Sequence, residues 1–394
     1  MSEIQLSSRV QRIKPSPTLA VTNKAAELKA QGKDIIGLGA GEPDFDTPEH
    51  IKEAAYEAIR TGQTKYTAVG GTPALKQAII AKFKRDNGLD YAPADILVSC
   101  GGKQSFFNLA LALLNDGDEA IIPAPYWVSY PDMVLVAGGV PVIIESTVED
   151  RFKITPAQLE AAITDKTRLF VINSPSNPSG MAYTLEELAA LGEVLKKYPQ
   201  VLIATDDMYE HILWTGKPFV NILNACPELK DRTVVLNGVS KAYSMTGWRI
   251  GYAAGPAKLM AAMTKVQSQS TSNPSSISQA AAVAALNGDQ NCVAEMVKAF
   301  KQRHDWLVAA LNAIPGVKAI PADGTFYAFV DVSDAIKAKG LADDMALAAE
   351  LLEAGVALVP GSAFGTPGCI RLSFATSNAN LEKAVERIAA YLGK

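Results

Sequence analysis

The sequence predicts an α/β protein whose main sheet is mostly parallel. Between residues 95 and 255, short β-rich runs alternate with helical stretches, and this order is typical of parallel sheets flanked by helices. Several of the runs are almost entirely apolar, as expected for strands that are covered on both faces. The chain has 394 residues, of which 48% are hydrophobic, so it can bury a substantial core.

The predicted strands fall on short apolar runs. They cover residues 95–99, 120–122, 140–144, 169–172, 201–204, 233–236 and 250–253. Between two of them, Thr184 and Glu187 have the spacing of a capping box and predict the start of a helix. Pro48 predicts another helix start, since proline is favoured at the first helical position.

The two ends of the chain have a different pattern. Residues 18–31 predict a helix, and a glycine-rich turn follows at 37–41. After Ser275 we expect a long helical stretch through Asn312, and then strands near 325–330 and 369–374. This C-terminal part is expected to belong to a second domain.

Charge and cysteine patterns argue against several classes of protein. The 37 basic and 41 acidic residues give a net charge of −4, and no basic run points to nucleic acid. No apolar stretch approaches the ~18 residues of a membrane span, and the N-terminus shows no secretory pattern. The four cysteines are far apart and only three histidines occur, so we expect no disulfide framework, no metal site and a cytoplasmic location.

Two segments have the composition of a site for an anionic ligand. The Gly-Gly-Lys-Gln turn at 101–104 follows a predicted strand and opens a helical stretch, where exposed amides can bind phosphate. A plain strand-to-helix turn explains these glycines about equally well. Segment 240–251 holds Lys241 and Arg249 among small and apolar residues. A lysine with a depressed pKa can form a Schiff base, and the planar fork of an arginine suits a phosphate.

Three further polar residues follow or lie within predicted strands. Asp206 ends an apolar run, where α/β proteins bind ligands, although a lone aspartate is more often a helix N-cap. Asn177 lies in an Asn-Pro-Ser-Gly turn and could bind a ligand oxygen. Arg371 lies in an alternating strand, where it is either a salt-bridged edge residue or a clamp on a ligand carboxylate.

The turn at 101–104, Asp206, Lys241 and Arg249 all fall at the ends of predicted strands. Together they supply what pyridoxal phosphate requires, namely a binding site for the phosphate, an anion against the ring nitrogen and a lysine for the aldehyde.

Over essentially its whole length, the chain resembles the class I pyridoxal-phosphate-dependent aminotransferases of fold type I. More narrowly, it is similar to the bacterial aspartate aminotransferases, including the subgroup of aspartate/prephenate aminotransferases. The segments that carry the resemblance, in family order, are 14–18, 40–48, 101–104, 125–130, 173–180 and 241–251.

The resemblance implies both an architecture and a cofactor. The fold would combine a large domain, residues 46–290, which holds a mostly parallel seven-stranded sheet, with a smaller α/β domain from residues 1–45 and 291–394. Pyridoxal 5′-phosphate would be the cofactor, and the protein would be a homodimer with shared active sites.

Three matches imply catalytic roles. Lys241 matches the lysine that binds the cofactor aldehyde and, once displaced by substrate, acts as base at the substrate Cα. Asp206 matches the residue that keeps the ring nitrogen of the cofactor protonated. Tyr209 matches one of the two donors to the O3′ atom of the cofactor. Asn177 matches the other donor and is expected to bind the cofactor and the substrate rather than to take part in catalysis.

Other matches imply contacts with the cofactor phosphate. The phosphate cradle is matched by Arg249, Ser240 and the backbone amides of Gly102, Lys103 and Gln104. Tyr66 matches a phosphate contact from the neighbouring subunit. Gly238 stands where many relatives have a serine, so one phosphate contact is expected to be missing.

The remaining matches concern the substrate. Arg371 matches the residue that binds the α-carboxylate of the substrate, with assistance from the backbone of Gly41 and from Trp127. Trp127 is expected to contact the cofactor as well. The positions that engage the distal carboxylate of acidic substrates are matched by Lys103, Ser16 and Thr18.

The resemblance implies a ping-pong reaction in which the cofactor alternates between its pyridoxal and pyridoxamine forms. The amino group of L-aspartate would pass to 2-oxoglutarate, giving oxaloacetate and L-glutamate, and prephenate would be a further substrate. An aminotransferase that prefers aromatic or alanine-like substrates is the alternative, and a C–S lyase of the same fold is a more distant one. A cofactor-binding regulator would need an added DNA-binding segment, of which the sequence shows no sign.

Overall fold

The computed structural model describes residues 4–393, in which helices and strands alternate along most of the chain. The α-helices, numbered α1 to α15 in chain order, are Ser8–Gln11, Pro17–Ala30, Glu49–Arg60, Pro73–Lys82, Gly102–Leu113, Ser129–Val136, Pro156–Ala162, Leu185–Lys196, Ile222–Ala225, Ala257–Ser268, Ser276–Asn287, Asn291–Asn312, Ser333–Ala338, Asp344–Glu353 and Asn378–Leu392. The β-strands, numbered β1 to β13, are Ile36–Gly37, Ile96–Ser99, Glu119–Pro123, Val140–Ile144, Thr167–Asn173, Leu202–Asp206, Thr233–Gly238, Gly251–Ala254, Lys318–Ala319, Tyr327–Asp331, Val356–Ala357, Val359–Pro360 and Cys369–Ser373.

Seven strands form the central sheet in the order β2-β8-β7-β6-β5-β3-β4. Strand β8 runs antiparallel to both of its neighbours, whereas all other neighbouring pairs are parallel. Alternate residues of β5 belong to different apolar clusters, Phe170 and Ile172 to one and Leu169 and Val171 to the other. Both faces of the sheet are therefore covered, and the prediction of a mostly parallel seven-stranded sheet is confirmed.

Most sequence-predicted elements occur where the sequence placed them. All seven predicted apolar runs coincide with strands of this sheet, and α2, β10 and β13 match the predicted helix and strands at the two ends. Helix α8 begins after Thr184, which forms a capping box with Glu187. Helix α3 begins at Glu49, so Pro48 precedes the first helical residue and takes the N-cap position.

The prediction of one continuous helical stretch from Ser275 to Asn312 is wrong, because two helices occupy this segment. Helix α11 ends at Asn287, and α12 begins at Asn291. The Gln290 side chain donates to the carbonyl oxygens of Ala285, at 3.1 Å, and Gly288, at 2.8 Å. These bonds satisfy carbonyl groups that the end of α11 leaves without helical partners.

A separate apolar core joins the two ends of the chain. It contains Ile36 and Leu38 together with residues of α12, β10, β13 and α15. Strand β1 pairs in parallel with β11, and β12, β13, β10 and β9 form a four-stranded sheet in that order. The division into domains at residues 45/46 and 290/291 stays a prediction.

Several strand ends of the central sheet meet where the predicted site lies. Helix α5 begins at Gly102, shortly after β2 ends, and residues 239–250 connect β7 to β8. Asn173 at the end of β5 lies in register with Asp206 at the end of β6. Groups that are distant in the sequence therefore come together at one edge of the sheet, the edge at which open α/β folds bind ligands.

Three further findings concern membrane spans, metal sites and cysteines. Within residues 4–393, no helix is both long enough and apolar enough to cross a membrane. The same residues contain no group of three or more His, Cys, Asp or Glu side chains placed to hold a metal ion. The four cysteines carry free thiols.

Candidate active site

A cavity of about 600 Å³ lies at the ends of β5, β6 and β7, between the central sheet and the Arg371 strand. All of the sequence-predicted site residues line it except Gln104 and Tyr66. The fold therefore brings side chains from positions 16 to 371 to one cavity.

One end of the cavity is formed by glycines and an arginine. A Cβ atom at Gly101 would collide with the Arg249 guanidinium, and one at Gly102 would lie 2.5 Å from Cε of Met208. The Arg249 guanidinium donates to the carbonyl oxygens of Thr246, at 2.9 Å, and Cys100, at 3.1 Å. These bonds hold the cation against the N-terminus of α5, where free amides and the helix dipole favour a phosphate.

Lys241 extends into the middle of the cavity. Its Nζ donates a short hydrogen bond to the carbonyl oxygen of Gly41 and lies 6.0 Å from the centre of the Tyr209 ring. Burial lowers the pKa of this lysine to about 8; Glu42 acts in the opposite direction, and Arg371 and Arg249 add to the lowering. An amine with such a pKa is partly neutral near physiological pH and can act as nucleophile or base.

Asp206, the last residue of β6, presents a carboxylate to the cavity. The Tyr130 hydroxyl donates a short hydrogen bond to Oδ2, and the Met208 backbone amide donates to Oδ1 at 3.2 Å. Burial raises the pKa of Asp206, while these two bonds and the Lys241 cation oppose the rise. A carboxylate held in this way can pair with a cation that enters the cavity.

Arg371 reaches the cavity from the opposite side. Although the residue is only 1% exposed, no acidic side chain among the described residues pairs with it. Its guanidinium donates to Oδ1 of Asn177 at 2.9 Å and to the carbonyl oxygen of Gly39 at 2.7 Å, while its Nε has no hydrogen-bond partner in the described chain. A buried guanidinium with an unused donor is suited to an anionic ligand.

Lys103 provides a second cation in the same cavity. Its Nζ lies 5.1 Å from the centre of a Trp127 ring, and Ser16 and Thr18 line the cavity with it. Burial lowers the pKa of Lys103, and the nearby Arg249 lowers it further. No carboxylate within residues 4–393 forms an ion pair with this ammonium group, so it can accept a ligand carboxylate.

Two predicted residues lie outside the cavity of this chain. The Gln104 side chain accepts a hydrogen bond from the Cys100 amide at 2.6 Å and donates to the Thr271 hydroxyl at 2.7 Å. It thus fixes the turn that precedes α5. Tyr66 is 92% exposed and does not line the cavity.

A buried polar network supports the strand ends from behind. Lys82 forms an ion pair with Glu210, and both residues are buried. Glu210 also accepts hydrogen bonds from the side-chain amides of Asn87 and Asn237, each at 2.7 Å. Burial alone would raise the pKa of Glu210, but the charges of Lys82 and His211 and the hydrogen bonds from Asn87 and Lys82 lower it to about 2. The network joins the segment after β6 to the end of β7.

Sequence reasoning missed two tyrosines of the site. The hydroxyl of Tyr327 lies 2.9 Å from that of Tyr209, and Tyr130 is the donor to Asp206 described above. Tyr130 belongs to the motif segment 125–130, so the sequence indicated that this position is important. It did not indicate that Asp206 is the hydrogen-bond partner of Tyr130. Tyr327 lies in a run of aromatic and apolar residues and resembles an ordinary core position.

The profile of the family described as "Aminotransferase class I and II" matches residues 33–388. The chain belongs to this family. An aspartate/prephenate aminotransferase from Nitrosomonas europaea is 66% identical over 396 residues, covering 99% of this aminotransferase and 100% of the relative.

Solved structures resemble this aminotransferase over its whole length. The crystal structure of the aspartate aminotransferase from Rhizobium meliloti has a TM-score of 0.95 at 50% identity and covers 99% of each chain. The aspartate aminotransferase from Thermus thermophilus with maleate has a TM-score of 0.93 at 45% identity, covering 98% of this chain and 100% of its own. Fold type I is thereby confirmed.

Aminotransferases of this family use pyridoxal 5′-phosphate, so the cofactor prediction is confirmed. The cavity fits this molecule because glycines leave room beside Arg249 at the N-terminus of α5. In addition, the half-buried carboxylate of Asp206 and a lysine of lowered pKa face the same space. Each of the three groups that the cofactor requires is therefore present in this aminotransferase.

Proposed function

We propose that the enzyme transfers the amino group of L-aspartate to 2-oxoglutarate by a ping-pong mechanism and that prephenate is a further amino acceptor. The observation that carries this proposal is the presence of two cations, Arg371 and Lys103, in one cavity without carboxylate partners among the described residues. A substrate with two carboxylates would satisfy both cations. The names of the relatives support the proposal, since they include aspartate and prephenate, and maleate is itself a dicarboxylate.

Each residue of the cavity has a task in this proposal. Arg249, Ser240 and the first amides of α5 would hold the cofactor phosphate, Asp206 its ring nitrogen, and Tyr209 and Asn177 its O3′ atom. When bound, pyridoxal phosphate supplies a carbonyl carbon for the amine and a cationic ring that withdraws electrons from the substrate Cα. Arg371 orients the substrate by its α-carboxylate, with Gly41 and Trp127 beside it. Lys103, Ser16 and Thr18 would bind the distal carboxylate.

Lys241 would take the proton from the substrate Cα. Its pKa of about 8 suits this task, because a general base works best when its pKa lies near the pH of the reaction. The Gly41 carbonyl oxygen accepts from Nζ and keeps the amine within the cavity. The buried position of Lys241 also restricts competing proton exchange with water.

The enzyme would act as a homodimer with shared sites. Tyr66 is 92% exposed, and exposed apolar side chains occur at Leu19, Tyr56 and Ile59. Exposed apolar groups of this kind are suited to an interface between subunits. In such a dimer Tyr66 would contact the cofactor phosphate in the site of the partner. A cytoplasmic location stays a prediction from the sequence.

The visible absorption spectrum of the cofactor-loaded enzyme tests the substrate assignment. We expect that L-aspartate alone, without an oxo acid, removes the visible band of the bound cofactor and releases oxaloacetate. A band that persists with aspartate but disappears with phenylalanine or alanine would replace this proposal by the aromatic or alanine-like alternative. Pyruvate released over many turnovers from a cysteine-type sulfur amino acid, without any oxo-acid acceptor, would instead indicate a C–S lyase.

A further inference from the structure

Tyr327, the first residue of β10, contacts two functional side chains at once. The register pairs Tyr327 with Ser373 and Phe329 with Arg371, so Tyr327 and Arg371 lie on the same face of the sheet as diagonal neighbours. The centre of the Tyr327 ring is 4.4 Å from Cζ of Arg371, which is a cation–π contact. The tyrosine is fully buried and its side chain lines the cavity.

The hydroxyl of Tyr327 extends beyond the guanidinium to Tyr209. The two phenol oxygens are 2.9 Å apart, and Tyr327 is the hydrogen-bond partner of the Tyr209 hydroxyl within the described chain. Gly41 makes room for this arrangement, since a Cβ atom there would lie 2.9 Å from the Tyr327 hydroxyl oxygen. A side chain at position 41 would therefore displace the hydroxyl or the loop.

We propose that Tyr327 is a positioning residue that joins the carboxylate-binding Arg371 to the cofactor-binding Tyr209. Its ring packs on the guanidinium, which the Phe364 ring also contacts at 5.0 Å and which donates hydrogen bonds to Asn177 and Gly39. Either hydroxyl can donate in the bond that the two phenols share. When Tyr209 gives its proton to the O3′ atom of the cofactor, the shared bond must run from the Tyr327 hydroxyl to the Tyr209 oxygen. The inference rests on the roles proposed above for Arg371 and Tyr209.

The direction of the hydrogen bond has a chemical consequence. A phenol that accepts a hydrogen bond becomes a stronger donor, because hydrogen bonds in a chain polarise one another. Tyr209 would therefore bind the O3′ atom of the cofactor more tightly with Tyr327 present. A stronger bond to O3′ stabilises negative charge there and favours the deprotonated form of the bound cofactor.

Two substitutions separate the tasks of the hydroxyl and the ring. Tyr327→Phe keeps the ring under Arg371 and removes the hydroxyl. We expect the pH midpoint of the visible absorption of the cofactor-loaded enzyme to rise by about half a pH unit, with the KM for aspartate nearly unchanged. Tyr327→Leu removes the ring as well, so the KM values for both aspartate and alanine should rise about fivefold, since both substrates carry the α-carboxylate.

Tyr91→Phe is the matched control, since Tyr91 is also a buried tyrosine, but its hydroxyl has no partner among the described residues. It should leave both the midpoint and the KM unchanged. An unaltered midpoint in Tyr327→Phe, or an unaltered KM in Tyr327→Leu, would overturn the inference. If Tyr327→Leu does not fold, the midpoint of Tyr327→Phe decides alone. Failure of the proposed function can be distinguished from failure of this inference. If the proposed function is wrong, the wild-type enzyme itself shows no visible band or no response to aspartate.

Discussion

The Tyr130 hydroxyl donates a hydrogen bond to Oδ2 of Asp206; the tyrosine is buried, and the half-buried aspartate lines the proposed cofactor site. Burial alone favours the neutral form of the aspartate, whereas this bond favours its carboxylate. Tyr130 therefore helps to maintain the negative charge that the ring nitrogen of the cofactor requires.

We expect Tyr130→Phe to weaken cofactor binding most at acidic pH. Without the donor, the pKa of Asp206 rises further, so the carboxylate is protonated at a higher pH than in the wild type. Titration of cofactor-free enzyme with pyridoxal phosphate should show about a tenfold higher Kd at pH 6 and a smaller difference at pH 8. Tyr183→Phe is the control, because that buried hydroxyl accepts from the Ile154 amide instead. A ratio of Kd values that stays constant with pH would contradict the role of Tyr130.

Lys103→Ala should impair acidic substrates selectively. The variant removes the cation that we assign to the distal carboxylate but leaves Arg371 for the α-carboxylate. We expect kcat/KM for aspartate to fall by about 10- to 100-fold, while the values for alanine and phenylalanine change by less than about threefold. Lys29→Ala, an exposed lysine of α2, should have no effect. Equal losses for aspartate and phenylalanine would refute the specificity argument.

The pKa of Lys241 predicts a pH-dependent cost to the stability of the cofactor-free enzyme. The folded protein lowers the pKa from 10.5 to about 8, so folding opposes protonation of this lysine. The cost is fully present below pH 8 and disappears as the pH rises towards 10.5. At pH 7, the free energy of unfolding of Lys241→Met, measured by urea denaturation, should therefore exceed that of the wild type by up to about 3 kcal/mol. This difference should shrink by pH 10. An advantage that is the same at both pH values would contradict the lowered pKa.

Hybrid dimers test whether Tyr66 acts across the subunit interface. Tyr66→Ala should raise the Kd for the cofactor about tenfold, and Lys241→Ala should be inactive. A dimer with one subunit of each variant would contain one site with both wild-type residues, provided that Tyr66 serves the partner site. Activity at low cofactor concentration should then reappear on mixing the two variants. If mixing restores no activity, Tyr66 does not serve the partner site.

The central sheet could be predicted because most of its strands are covered on both faces; the edge strand β4 is the exception, since Val140 and Ile143 are exposed. Runs such as 169–172 are nearly continuous in apolar residues, and between residues 95 and 255 such runs alternate with helical stretches. The break between α11 and α12 was missed because Gly288 interrupts an otherwise helical composition by a few residues only. Local composition indicates that a helix is possible there but does not fix where its last hydrogen bond forms.

The charged residues of the site could be predicted from the sequence, whereas Tyr327 could not. Lys241, Asp206 and Arg249 carry charge among apolar neighbours, so the sequence marks them as unusual. Tyr327 has no such mark, since a tyrosine in a buried strand is normally core, and its contact with Tyr209 spans 118 positions. Such a contact depends on strand pairing, which is not visible in either segment alone.

The Lys82–Glu210 pair has a consequence for directed evolution of this enzyme. A library that varies Glu210 alone leaves a buried ammonium without its partner, and removing one member of such a pair typically costs about 3–5 kcal/mol. Most single variants would thus be lost to misfolding before their catalysis could be assayed. Joint replacement of both residues by apolar side chains of similar volume avoids the stranded charge but leaves the side-chain amides of Asn87 and Asn237 without their acceptor. Productive routes through sequence space near Tyr209 therefore require simultaneous changes across this whole network.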